Sequence, residues 1–145
     1  MLKLIFRFNM LCSAKLKKLR LVFVKYPEVE AVYLFGSAAS NKQISNGIDT
    51  DIDLGIVASD NSIEKRKVNL HADMIRQGLD HVDLVFFDSA DLILQFEIIH
   101  QNKLIYSKEE FKHGELFSNT IRKYLDFKPY LDRQRKNLKS RIING

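Results

Sequence analysis

Apolar side chains recur every three or four residues at Leu16, Leu19, Val22, Phe23 and Tyr26. That spacing lines one face of a helix, and Pro27 closes it. Residues 30–35 form a short apolar run that ends at Gly36-Ser37, which reads as a buried strand followed by a turn. Residues 38–50 are small and polar, with Asn46-Gly47 as a turn signal. A second apolar run, 51–57, predicts another strand. Asn61 with Glu64 three residues later has the form of a capping box, predicting a helix to about Gln77 that Gly78 stops. Residues 81–87 predict a third strand, 89–100 a helix and 104–106 a short strand. A helical region starting near Lys108 is expected to be divided by Pro129.

This order of elements predicts an α/β (α+β) fold: a small mixed sheet flanked by helices, with a helical C-terminal extension. One domain over 1–145 is expected, with a core at about 28–106 and a helical region at about 108–145. The length suits a single hydrophobic core. An apolar content of 46% excludes disorder as the default. Cys12 is the only cysteine, so no internal disulfide can form, which fits a reducing cytoplasm. No stretch reaches the ~20 apolar residues of a membrane span, so a soluble, cytoplasmic protein without a membrane partner is expected.

The net charge of +5 is concentrated at the two ends. Lys15, Lys17, Lys18, Arg20 and Lys25 lie near the start, and Arg122 to Arg141 carry a second cluster. Such a distribution suits an acidic partner such as a nucleotide or nucleic acid, and equally suits solvated helix faces.

Candidate chemistry centres on Asp51 and Asp53. Residues i and i+2 of a strand point the same way, so both carboxylates emerge on one face, roughly 7 Å apart at the backbone. Like charges so placed repel, and a divalent cation beside them relieves the repulsion. Hard oxygen ligands suit Mg²⁺ or Mn²⁺, which also take oxygens from nucleotide phosphates. Asp83, inside a third apolar strand, is costly to bury alone. It either completes a three-carboxylate cluster and draws a proton from an attacking hydroxyl, or pairs with a lysine or arginine. Gly36 lets the backbone approach a ligand closely, and the Ser37 hydroxyl can donate to a phosphate oxygen.

The pattern Leu34-Phe35-Gly36-Ser37, Asp51-Ile52-Asp53-Leu54 and Val82-Asp83-Leu84-Val85 resembles the nucleotidyltransferase superfamily related to DNA polymerase β. The stretches Phe96 to Tyr106 and Tyr124-Leu125-Asp126-Phe127 are further similar to the minimal nucleotidyltransferase (MNT) antitoxins that act beside HEPN-domain toxins. The resemblance implies that Gly36 and Ser37 bind the nucleotide phosphates and that Asp51, Asp53 and Asp83 ligate Mg²⁺. It implies AMP transfer from ATP to a tyrosine hydroxyl of a HEPN toxin, an RNase, within a hetero-oligomer of the two proteins. Little chain remains beyond the core, so the acceptor is expected to arrive on another macromolecule; nucleic acid is the less favoured acceptor.

The chain departs from the family run Gly-Ser-x-Ala-Arg-Gly, with Ser40 and Asn41 where Arg and Gly are expected. The loop to the acids is also about three residues longer. Lys42 could restore a positive charge without the bidentate grip of arginine. Two alternatives follow: a catalytically weak antitoxin that acts by binding its toxin, and a stand-alone transferase acting on an antibiotic or RNA end. His71, His81, His100 and His113 have no metal-ligand spacing, and of these only His81, sharing the face of Asp83, is a candidate. Asp49 is read as a loop acid and Asp88 as a helix cap.

Overall fold

The computed structural model describes residues 13–36, 39 and 51–144. Ser37, the turn at Asn46-Gly47, Asp49 and the departures at Ser40, Asn41 and Lys42 lie outside the described residues. By proximity the chain divides into two compact units, 1–111 and 112–145.

The first unit begins with helix α1, Ser13–Phe23, whose Leu16, Leu19, Val22 and Phe23 are buried as their spacing predicts. Strand β1, Val29–Phe35, follows the turn at Pro27, and β2 spans Ile52–Ala58. Two helices, α2 (Ser62–Lys65) and α3 (Lys67–Arg76), lead to β3, Val82–Phe86. A 3-10 turn at Phe87–Ser89, helix α4 (Leu92–His100) and β4 (Leu104–Ser107) complete the unit.

The four strands form one mixed sheet in the order β3-β2-β1-β4. β1 is antiparallel to β2 and to β4, whereas β2 and β3 run parallel. A parallel pair needs a long crossover, which α2 and α3 supply.

Alternation decides which side chain faces which layer. Val32 and Leu34 of β1, Ile52, Leu54 and Ile56 of β2, and Val82, Leu84 and Phe86 of β3 share one core with α1 and α3. Asp53, Gly55 and Val57 take the opposite face, which α4 approaches. A β-carbon built on Gly55 would lie 2.4 Å from Ile98 Cγ2, so the missing side chain lets α4 settle onto the sheet.

Three expectations are corrected. The capping box does not form: Asn61 makes no side-chain cap bond, and the helix is broken at Arg66. Asp60 instead accepts from the Ser62 N–H at 2.8 Å, while Glu64 accepts from the Ser89 hydroxyl. The cap of α4 is Asp91, which accepts from Leu94 N–H at 2.8 Å; Asp88 sits within the 3-10 turn.

The second unit is one helix, α5, His113–Asn144, with Pro129 inside it. Residues 125–130 are exposed, so the carbonyl that loses its partner at Pro129 can be hydrated and the helix continues. Among the described residues, no helix is long and apolar enough to cross a membrane.

Candidate active site

Asp53 and Asp83 are direct partners in the parallel register of β2 and β3. Neighbouring strands lie about 4.8 Å apart, and partnered residues of a parallel pair point to the same face, so both carboxylates emerge side by side. Asp51 stands one residue before β2, tied down by the Ile52 N–H, which donates to the His81 carbonyl at 2.8 Å. Asp51 and Asp83 are exposed, and Asp53 is half-buried. The acid that bears a desolvation cost is therefore Asp53. Asp83 lies open to solvent on β3, the edge strand of the sheet.

Burial holds the Asp53 carboxyl above the usual carboxylate range, and the charges of Asp83 and then Asp51 push it the same way. Asp53 thus lies in the field of both neighbouring acids. The field is the physical signature of a site that gains from a cation. Among the described residues, no group of three or more His, Cys, Asp or Glu side chains is gathered tightly enough to form a finished ligand set. The donor chemistry, carboxylate oxygens of three acids at the edge of an open face, fits a hard divalent cation.

Gly36 ends β1 with φ +71°, a left-handed conformation that glycine adopts without steric cost. Phe35, the residue before it, pairs with Asp53 in the sheet. A β-carbon at Gly36 would lie 2.2 Å from Asp53 Oδ2. Glycine is thus required twice, by backbone angle and by the carboxylate packed over it. The Ala39 N–H donates to the Gly36 carbonyl at 3.2 Å, closing the turn.

His81 Nδ1 lies 3.9 Å from Asp51 Oδ1 and its Nε2 3.7 Å from Asp80 Oδ2, all exposed. Its place beside Asp51 follows from its position just before β3. Sequence reasoning did not single out Gly55; a glycine inside an apolar strand was the available signal.

This chain belongs to the polymerase β nucleotidyltransferase family, whose profile, "Polymerase beta, Nucleotidyltransferase", matches residues 17–111. It is 31% identical over 110 residues to the protein adenylyltransferase MntA of Shewanella oneidensis, covering 74% of this chain and 75% of that one. Among solved structures, a toxin–antitoxin complex with AMP-PNP matches with a TM-score of 0.66 at 22% identity, covering 88% of this chain and 98% of the other. The MNT antitoxin bound to a tri-AMPylated Shewanella oneidensis HEPN toxin matches with a TM-score of 0.61 at 22% identity, covering 90% and 96%. These structures share the fold, and the expected α/β nucleotidyltransferase architecture is the one observed.

Proposed function

We propose that this protein is an antitoxin that transfers AMP from ATP to a tyrosine hydroxyl of a HEPN toxin and thereby silences it. The observation that carries the reading is the juxtaposition of Asp53 with its register partner Asp83 and with Gly36 at one end of the sheet. Its kinship with a protein adenylyltransferase supports the choice of acceptor.

Asp51, Asp53 and Asp83 would hold Mg²⁺, with Mn²⁺ as a chemically equivalent substitute. When bound, the ion would neutralise the carboxylates and the phosphate charge that develops during transfer. Gly36 leaves room for the Asp53 carboxylate, and the Gly36 backbone with the Ser37 hydroxyl would donate to the phosphates. Asp83, exposed beside Asp53, is the group positioned to accept the proton from the incoming tyrosine. The tyrosine oxygen bonds to the α-phosphorus, the bond to the bridging oxygen of the β-phosphate breaks, and pyrophosphate leaves. Localisation in the cytoplasm is part of the same proposal, since ATP is the donor.

A second reading, neutralisation by binding alone, is favoured by Ser40 and Asn41 in place of the family's Arg and Gly. One experiment separates the two. Purified protein is incubated with ATP labelled in the adenosine moiety, Mg²⁺ and the product of the neighbouring gene, and the incubation is repeated with Asp51→Ala and Asp53→Ala. Label on a toxin tyrosine that both substitutions abolish supports transfer. Neutralisation that persists without label supports occlusion.

A further inference from the structure

Helix α5 carries a stripe that none of the chemistry above uses. Phe127, Tyr130, Gln134, Leu138, Arg141 and Ile142 follow one another at intervals of one to four residues and so fall along one side of the helix, the side on which Leu131 is buried. Phe127 and Tyr130 stack with ring centroids 6.1 Å apart, and Arg133 Cζ lies 5.5 Å from the Tyr130 ring centre. Tyr130, Leu138 and Ile142 are 58%, 59% and 73% exposed. At 1.5 Å per residue the stripe runs about 22 Å. The stretch 126–142 also carries Lys128, Arg133, Arg135, Lys136 and Lys139 against Asp126 and Asp132.

Exposed aromatic and aliphatic groups held beside guanidinium ions have the composition of a protein-binding hot spot. We propose that this stripe is the docking element for the acceptor protein, seating in an apolar groove rimmed by carboxylates. The inference rests on the reading of the chain as a protein-modifying enzyme, and it names the surface and the partner chemistry that reading requires. Charge selects the occupant. A second copy would bring the same excess of cations alongside and be repelled. Gln134 and Arg141 interrupt the apolar face, and a protein groove can answer both with hydrogen bonds and carboxylates. The groove is an acidic helix-in-groove site.

The test measures toxin binding separately from transfer. In an Asp53→Asn background, which removes turnover, the dissociation constant for the HEPN protein is measured with and without the pair Leu138→Glu and Ile142→Glu, and with Arg135→Glu and Lys139→Glu. All four sites are exposed, and unchanged helicity by circular dichroism confirms folding. We expect each pair to weaken binding at least about tenfold. In the active chain we expect KM for the toxin to rise while kcat at saturation stays within about twofold. Binding should weaken steeply with added salt. Unchanged toxin affinity in both pairs overturns the docking proposal while leaving transfer intact. Toxin binding lost with the stripe, in a wild-type protein that transfers no label, supports docking and overturns the catalytic reading. Two results assign the stripe elsewhere and overturn the proposal. One is binding to phosphatidylglycerol vesicles that the substitutions abolish while toxin affinity persists. The other is a dimer that the substitutions dissociate.

Discussion

A β-carbon on Gly36 would stand 2.2 Å from Oδ2 of Asp53, so the turn after β1 and the acid of β2 occupy space that no larger residue could share. The contact joins the expected phosphate-binding turn to the most electrostatically loaded carboxylate of the site.

Gly36→Ala should therefore lose far more activity than stability. A non-glycine residue at φ +71° costs about 1–2 kcal/mol, a fall in Tm of about 2–8 °C for a chain of this size. Displacement of the Asp53 carboxylate should lower transfer at least about 100-fold. Gly78→Ala is the control. It has φ +80° with nothing within 4 Å of the added carbon, so Tm should fall similarly while kcat is unchanged. Thermal melts and initial rates on both variants check this.

Asp53→Asn should abolish transfer and raise Tm at neutral pH. Its folded-state carboxyl lies above the ordinary range, so the native state binds its proton more tightly than the unfolded chain does. Wild-type stability therefore falls as pH rises from the usual Asp range, near 4, through that raised value. The advantage of asparagine should appear across this window and vanish below it. Mg²⁺ should raise the wild-type Tm, EDTA should reverse the gain, and Asp53→Asn should show a smaller shift, all readable by calorimetry.

Tyr26→Phe should destabilise without touching transfer. The Tyr26 hydroxyl donates to Asp73 Oδ2 at 2.6 Å, and Arg76 pairs with Asp73 Oδ1 at 2.8 Å. Burial and then that hydrogen bond push Tyr26 up to about 12, while the same bond, foremost, holds Asp73 below its ordinary range. A depressed acid contributes stability above its unfolded pKa that is lost as pH falls through the folded one. The Tm gap between wild type and Tyr26→Phe should hold at pH 7 and narrow below pH ~4.

Gly55→Ala should strike the packing of α4. Its new methyl would meet Ile98 Cγ2 at 2.4 Å, and overpacking of this kind costs about 1–3 kcal/mol. Ile98→Ala removes the colliding atom, so the double variant should be less destabilised than the sum of the two single ones. Urea titrations of the four proteins in the cycle measure that coupling.

Much of the architecture is legible along the chain, because period and alternation are local properties. Leu16, Leu19, Val22 and Phe23 announce a helix face that is indeed buried. The strands carrying the acids are found within a residue or two of their observed ends. Local chemistry misled where two candidates competed. Asp88 and Asp91 both suit a cap, and the path of the chain after β3 selects Asp91. Pro129 reads as a breaker, yet an exposed helix tolerates one unpaired carbonyl.

What no local pattern could decide is who meets whom. Asp53 and Asp83 are partners only because β3 pairs parallel with β2, a choice made by long-range hydrogen bonding across a helical crossover. Asp83 is exposed on the edge strand and Asp53 half-buried on an inner one, although both sit in apolar runs. By itself the sequence determined the residue types and the faces they occupy, since a side chain's face follows from its parity along the strand. Strand order and register, which depend on the whole core closing at once, decided which acids share a field and which glycine must stay bare.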